Sequence, residues 1–166
     1  MNHIELIKTA ELNNVELIVK LAIASMIAMQ IFQWDDIYPN RQVLEDDLKN
    51  GWMYGYYSDS ELCGIITLNN RQSPEYSDIV WKYKDENPLV IHRMCVAPNH
   101  QVKGIAKTLI AFAEDFALKN HHKTIRLDAF VNNPIATGIY RKLGYIERGI
   151  VKFRKGDFYC FEKMPG

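Results

Sequence analysis

The sequence predicts a single α/β domain built on a mixed β-sheet. Its 166 residues are a usual length for one domain. Segments with the two-residue period of a strand are interspersed with segments that have the spacing of an amphipathic helix. No linker, internal repeat or low-complexity segment divides the chain. We therefore expect one domain over residues 1–166, with helices on both faces of the sheet.

The first part of the chain predicts a strand, two helices and a hairpin. Ile4 to Thr9 alternates apolar and polar side chains, as a half-buried strand does. Asn13 or Asn14 is positioned to cap the helix that follows. Ser58-Asp59-Ser60 predicts the turn of the hairpin. The predicted elements span residues 4–9, 15–31, 41–48, 52–57 and 62–68.

The second part predicts four strands and two helices, which brings the total to seven strands and four helices. Lys155-Gly156 predicts the turn of a final hairpin. Between the two parts, residues 71–88 have no clean period but contain three large aromatic residues, so we expect this segment to fold over a site. Those aromatic residues are Tyr76, Trp81 and Tyr83. The predicted elements span residues 89–96, 104–119, 124–131, 135–143, 145–153 and 157–162.

Charge and cysteine content narrow the function classes. Lys plus Arg number 20 and Asp plus Glu number 20, which disfavours a nucleic-acid binder because such proteins usually carry a basic stripe. Cys63, Cys95 and Cys160 lie in apolar, strand-like runs without zinc-ligand spacing, so we expect free thiols and no metal. There is no secretion-signal pattern and no apolar run of about 18 residues. These features predict a cytoplasmic protein with no membrane partner.

The most informative segment runs from Val96 to Lys107, where a predicted strand ends and a helix opens near Gly104. A glycine lets a ligand approach the backbone closely. The first amides of a helix have no partner within it, and the helix dipole favours anions there. This segment therefore predicts a pyrophosphate site. It lacks GxGxxG and GxxxxGK[ST], which disfavours a dinucleotide-binding fold and a P-loop.

Two blocks of sequence resemble one known family. Gln101-Val102-Lys103-Gly104-Ile105-Ala106 resembles the Q/R-x-x-G-x-G/A signature of the GNAT superfamily of N-acetyltransferases. The preceding residues, Ile91 to Pro98, resemble the fourth strand of that superfamily. Asn133 to Tyr145 resembles its N-x-x-A-x-x-x-Y-x-K-x-G-F/Y block. The blocks occur in the expected order, with one helix and one strand between them.

The resemblance implies a mostly antiparallel sheet whose fourth and fifth strands splay apart around the pantetheine arm of acetyl-CoA. Backbone groups of Met94, Cys95 and Val96 would pair with that arm, and an N–H near Met94 would polarise the thioester carbonyl. Asn133 would make a polar contact to the cofactor. The pyrophosphate would be held by the backbone of Gln101, Val102, Lys103, Gly104, Ile105, Ala106 and Lys107.

The resemblance also implies catalytic roles. Tyr140 matches the general acid that protonates the CoA thiolate as the amine attacks. A core aromatic on an amphipathic helix is the alternative interpretation of this tyrosine. His92 shares a strand face with Met94 and is the first candidate base, and a surface or hydrogen-bonded structural histidine is the alternative interpretation. Glu114 and Asp128 are weaker candidates, and a water chain without a single base is also common in the family.

The amine acceptor is predicted to bind the loop after the first helix. Trp34, Asp35 and Tyr38 combine aromatic surface with negative charge, which suits a cation. A capping and packing loop is the alternative interpretation. Glu45, Asp46 and Asp47, on the next helix, look like a solvated face.

Three function hypotheses follow from the resemblance. The first is an acetyl-CoA-dependent N-acetyltransferase acting on a small-molecule amine. The second is a protein Nα- or lysine acetyltransferase, and the third is a non-catalytic acyl-CoA-binding sensor. Trp81 and Tyr83 narrow the groove that a protein substrate needs, which favours a small molecule. The resemblance allows a homodimer and leaves the acceptor unnamed.

Overall fold

The computed structural model describes residues 1–166 and contains seven strands and four α-helices, as the sequence predicts. Three short 3₁₀ turns, at Thr9–Glu11, Pro74–Asp78 and Pro98–His100, join them. The strands are β1 Asn2–Leu6, β2 Met53–Ser58, β3 Glu61–Asn69, β4 Leu89–Val96, β5 Ile125–Phe130, β6 Ile146–Phe153 and β7 Gly156–Lys163. The helices are α1 Leu12–Ala28, α2 Arg41–Lys49, α3 Ile105–Lys119 and α4 Pro134–Lys142.

The strands form one mixed sheet in the order β1-β2-β3-β4-β5-β7-β6. The pairs β1–β2, β2–β3, β5–β7 and β6–β7 are antiparallel, whereas β4–β5 is parallel. The parallel register joins Leu89 to Ile125 and Val90 to Arg126 and goes no further. Both strands continue beyond these pairs, so they part as the predicted splay requires. The predicted fold class is therefore confirmed.

The chain divides into two compact units. The first comprises residues 1–68 and 93–112, and the second comprises residues 69–92 and 113–166. The assignment of residues 1–166 to one domain stays a prediction.

In the first unit, α1 and α2 each bury one face in a core that also contains residues of β2 and β3. Tyr57 lies in this core, and its hydroxyl donates to the Glu11 carboxylate at 2.9 Å, which satisfies the polar end of a buried ring. Asn40 caps α2 by accepting from the Val43 amide at 3.0 Å. Core residues of this unit include Ile7, Val15, Ile18, Val19, Leu44, Leu48, Met53 and Ile65.

In the second unit, the β5–β7–β6 ladder carries the main core. Leu127, Cys160 and Phe161 are almost fully buried where β5 and β7 pair. The segment before β4, which the sequence predicts to be irregular, packs onto this unit: Tyr76 is only 2% exposed, and its hydroxyl donates to Asp128 at 2.6 Å.

Three local predictions were wrong in detail. The first helix starts at Leu12 after a 3₁₀ turn and has no side-chain cap, so neither Asn13 nor Asn14 caps it. Instead, Asn13 accepts a hydrogen bond from Arg41 at 3.0 Å. The last hairpin turns at residues 154–155, and Gly156 already belongs to β7. The first strand ends at Leu6 rather than at Thr9, where the 3₁₀ turn begins.

None of the helices combines the length and the apolar character that crossing a membrane requires.

Candidate active site

The residues from Gln101 to Lys107, called here the anion-binding loop after their predicted role, lie in the first unit. They comprise the turn that follows the 3₁₀ turn at Pro98–His100 and the first three residues of α3. Gly104 has a φ of +79°, a backbone conformation that residues other than glycine rarely adopt. A Cβ placed there would meet nothing within 4 Å. Helix α3 begins at the next residue, so the first backbone N–H groups of this helix have no hydrogen-bond acceptor within it. The loop thus combines open space with unsatisfied donors, and these features fit a pyrophosphate.

The side chains of the anion-binding loop divide into anchors and exposed charges. The Gln101 side chain donates to the Val96 carbonyl at 3.2 Å and so ties the loop to the end of β4. The Ile105 side chain is buried, whereas Lys103 and Lys107 are exposed. Only the backbone of Ile105 can therefore face a ligand, while the two lysines add positive charge from solvent.

The middle of β4 has an irregular backbone next to the point where it parts from β5. Arg93 has φ of +45°, which is unusual for a non-glycine residue in a strand. Met94 and Cys95 are half-buried, and Val96 is buried. Burial raises the pKa of the Cys95 thiol to about 12, so this thiol stays protonated and is a poor nucleophile. Backbone groups, rather than this thiol, are what the segment offers to a ligand.

Arg93 forms a buried ion pair that sequence reasoning missed. Its guanidinium donates through Nε to Asp47 at 2.5 Å and through Nη2 to the same carboxylate at 2.8 Å. Asp47 is 2% exposed and also accepts from the Thr67 hydroxyl at 3.0 Å. The prediction of a solvated face at residues 45–47 was therefore wrong for Asp47, although Asp46 is exposed. A periodic pattern shows where a carboxylate lies on a helix but does not show which distant arginine pairs with it.

The same arginine holds the predicted acceptor loop. Arg93 Nη1 donates to the Tyr38 hydroxyl at 2.8 Å, and the Tyr38 side chain remains 40% exposed. Asp35 Oδ1 accepts from the backbone amides of Ile37 and Tyr38 at 3.0 and 3.2 Å, which closes the loop on itself. Trp34 is only 9% exposed and packs inward. Tyr38 and the exposed Asp36 are thus the outward-facing members of this loop.

Tyr140 lies on α4 in the second unit, inside an aromatic cluster formed by Tyr140, Tyr145 and Phe161. The ring centroids of Tyr145 and Phe161 lie 5.7 and 5.9 Å from that of Tyr140. Burial, and after it the negative charge of Asp128, raises the pKa of the Tyr140 phenol above its ordinary value. The phenol is therefore in its proton-donating form at neutral pH.

Asn133 lies at the other end of α4 and acts as its N-cap. Its Oδ1 accepts from the Ala136 amide at 3.1 Å, and the residue is 8% exposed. Pro134 follows at the first helical position, where it needs no hydrogen-bond donor. The motif N-P-x-A thus has a local structural role, independent of the predicted contact to a cofactor.

The three candidate bases all lie in the second unit and have different surroundings. His92 Nε2 lies 2.8 Å from Asn69 Oδ1; because this oxygen accepts, the contact places the proton on Nε2 and the lone pair on Nδ1. Glu114 pairs with Lys163 at 2.7 Å, and Asp128 accepts from Tyr76. Each carboxylate is thus engaged with a neighbouring side chain, and that contact competes with its use as a base.

The segment of Trp81 and Tyr83 is fixed by a fully buried carboxylate. Glu162 accepts from the Lys82 amide at 3.0 Å and from Arg148 Nε at 2.9 Å, and it lies 3.5 Å from Arg126. The Arg126 guanidinium also stacks 4.3 Å from the Trp81 ring centroid. Sequence reasoning missed this network, because its members come from four separate segments.

Both the sequence and the fold of this chain are similar to those of known acetyltransferases. The sequence profile of the acetyltransferase (GNAT) family matches residues 19–145. Streptothricin acetyltransferase from Escherichia coli is 32% identical over 121 residues, which are 73% of this chain and 59% of that protein. Spermidine N(1)-acetyltransferase from Vibrio cholerae is 44% identical over 66 residues, or 36% of this chain and 38% of that protein. The chain thus spans about half the length of these relatives. A GNAT-family acetyltransferase from Streptococcus agalactiae shares the fold, with a TM-score of 0.87 at 23% identity over 99% of this chain and 96% of that one.

Proposed function

The chain belongs to the acetyltransferase (GNAT) family, and on that premise we propose that it transfers an acetyl group from acetyl-CoA to a primary amine of a small cationic molecule. The observation that carries the proposal is the anion-binding loop, where open space at Gly104 meets the first amides of α3. Acetyl-CoA brings a pyrophosphate, which is the kind of group that such amides bind.

We propose that the amine attacks the thioester carbonyl directly. The new C–N bond forms as the C–S bond breaks, and the CoA thiolate leaves. Tyr140 gives its phenolic proton to the thiolate sulfur, and the proton lost by the amine returns through solvent to the phenolate. The raised pKa of Tyr140 keeps the phenol protonated at neutral pH, but it also makes the phenol a weaker acid, so the support for this role comes from the spacing of the Asn133 to Tyr145 block.

We propose His92 as the group that takes the proton from the ammonium form of the acceptor. Its contact with Asn69 fixes the tautomer with a basic Nδ1. Replacing His92 by Gln should lower kcat/KM most at pH values above the acidic limb, where an unprotonated imidazole can accept the proton, and should remove that limb from the pH profile. A profile of unchanged shape would favour proton loss through water instead.

The acceptor side of the proposal rests on Asp35 and Tyr38, while the inward-packed Trp34 supports their loop. The exposed face of the Tyr38 ring, held by Arg93, offers a cation–π contact, and Asp35 adds negative charge. Asp35→Asn removes this charge and keeps the oxygen that closes the loop. We expect the KM for a cationic amine to rise about twofold to fivefold, because an exposed charge contact contributes about 0.5–1 kcal/mol. An unchanged KM would remove this loop from the acceptor site.

The two relatives support a small polycationic acceptor, because their names specify streptothricin and spermidine. A protein substrate and a non-catalytic sensor are the outcomes that would contradict the proposal. We therefore suggest a thiol-release assay with acetyl-CoA against spermidine, streptothricin, free amino acids and amino-terminal peptides. Release with the small amines is expected, and release with peptides alone would indicate a protein acetyltransferase.

The sensor alternative needs a separate measurement of binding. Acetyl-CoA should raise the melting temperature of the protein, since a ligand that binds only the native state stabilises it. A shift without thiol release on any amine would indicate a sensor. The absence of a shift would refute the acetyl-CoA site itself.

A further inference from the structure

Three side chains with metal-binding atoms converge in the first unit, beside the start of the anion-binding loop. A carboxylate oxygen of Glu61, the Cys63 sulfur and a ring nitrogen of His100 all lie within 4.8 Å of one another. Glu61 and Cys63 are two residues apart on β3, and His100 ends the 3₁₀ turn at Pro98–His100. The Ala97 amide donates to the Cys63 carbonyl at 2.8 Å and so holds this turn against the strand.

The imidazole of His100 is the unusual member of the cluster. Its Nε2 is buried and has no hydrogen-bond partner, although Glu61 Oε1 lies 3.3 Å away without hydrogen-bond geometry. A buried polar nitrogen without a partner destabilises the folded state. The Cys63 thiol donates to the Glu61 carbonyl oxygen at 3.2 Å. An electron-pair acceptor between the three side chains would satisfy the imidazole and take the place of that thiol proton.

We propose that Glu61, Cys63 and His100 bind a borderline-soft divalent cation of the Zn²⁺ type. Sulfur, imidazole and carboxylate are the ligands that Zn²⁺ takes in proteins, and three protein ligands with one water make a common open site. On binding, the Cys63 thiol releases its proton to solvent and coordinates as the thiolate. Hard cations such as Mg²⁺ avoid sulfur and need more oxygen ligands than this cluster offers.

Nearby charges and the chain order set limits on this site. Lys103 interacts electrostatically with Cys63 and opposes a second positive charge, whereas the Glu61 carboxylate favours it. The Glu61 side chain is 62% exposed, which leaves a route for the ion from solvent. His100 directly precedes Gln101, so a bound cation would fix the turn from which the anion-binding loop starts.

The test uses the full-length protein after metal removal, with Co²⁺ as a spectroscopic probe and without acetyl-CoA or amine. We expect one equivalent of Co²⁺ to produce a thiolate-to-cobalt charge-transfer band, and Zn²⁺ to abolish the band by displacement. The band should disappear in Cys63→Ser. His100→Gln and Glu61→Gln should weaken Zn²⁺ binding about tenfold or more, because each loses one ligand.

The controls use thiols and imidazoles elsewhere in the chain. Cys160→Ser, Cys95→Ser and His122→Gln should keep both the band and the Zn²⁺ affinity. Circular dichroism of each variant confirms that it folds. The absence of a band in the native protein, or a band that survives Cys63→Ser, would overturn the proposal. Because these measurements require no acetyl transfer, they stand or fall separately from the proposed function.

Discussion

We propose that the anion-binding loop and the aromatic cluster around Tyr140 serve one reaction, and the two regions differ in the kind of atoms that they offer to it. The loop is exposed and offers backbone amides, and its key residue, Gly104, has no side chain. In the cluster, Tyr140 is 6% exposed and offers a single hydroxyl held among rings. Binding in the loop should therefore tolerate most side-chain changes that preserve the backbone, whereas catalysis in the cluster should depend on one oxygen atom.

The largest expected effect tests the cluster. Tyr140→Phe removes the proton donor and keeps the ring contacts with Tyr145 and Phe161. We expect kcat to fall about 10²–10⁴-fold, which is the usual contribution of a general acid, while the acetyl-CoA KM changes little. Steady-state kinetics measures both values. A kcat equal to that of the native protein would assign Tyr140 to the core alone.

The pH dependence of kcat/KM provides a second test of the cluster around Tyr140. The raised pKa of Tyr140 means that the phenol stays protonated below its ordinary value of about 10 and loses its proton only at higher pH. The loss of kcat/KM that depends on this residue should therefore begin above pH about 10. An alkaline limb near neutral pH that persists in Tyr140→Phe would belong to another group.

The second largest effect tests the loop. Gly104→Ala places a Cβ at φ of +79°, where an L-residue costs about 1–2 kcal/mol, so the amides leave their positions in part of the population. We expect the acetyl-CoA KM to rise about fivefold to thirtyfold with little change in kcat. Gly138→Ala is the matched control, since this glycine lies inside α4 and its added Cβ also meets nothing within 4 Å. Equal behaviour of the two variants would contradict the backbone role of Gly104.

The smallest effect concerns the exposed charges of the loop. Replacing Lys103 and Lys107 together by Ala should raise the acetyl-CoA KM only about twofold to tenfold, because exposed charge contacts are weak. The difference from the native protein should shrink at high salt, which screens such contacts. A loss much larger than that of Gly104→Ala would show that side chains, rather than amides, dominate this site.

The two regions differ in how far the sequence alone predicts them. The anion-binding loop was predictable, because a glycine before an amphipathic helix is a local pattern and the start of α3 at Ile105 follows it. Tyr140 was predicted only through the spacing of the second block. Asn133 was predicted for a cofactor contact, which stays a prediction; its role as the cap of α4 is a local one that the structure adds.

Long-range polar pairs were not predictable. Asp47 and Arg93 are 46 residues apart, and Glu162 is fixed by groups from residues 82, 126 and 148. A charged residue on a helix or strand has the same local pattern whether its partner is water or a buried arginine. Only the packing of separate segments removes water and makes the pair, which explains why the sequence placed Asp47 on a solvated face.

The sequence by itself determined the order of seven strands and four helices, the glycine turn that precedes α3 and the family, whereas anion binding by that turn stays a prediction. These features depend on periodicity, on glycine and on short spacings, all of which are local. The tertiary structure alone decided that Arg93 pairs with Asp47 and holds Tyr38, and that Glu61, Cys63 and His100 meet. Arg93 is 46 positions from Asp47 and 55 from Tyr38, and His100 is 37 positions from Cys63, so these contacts exist only after folding has closed the intervening chain.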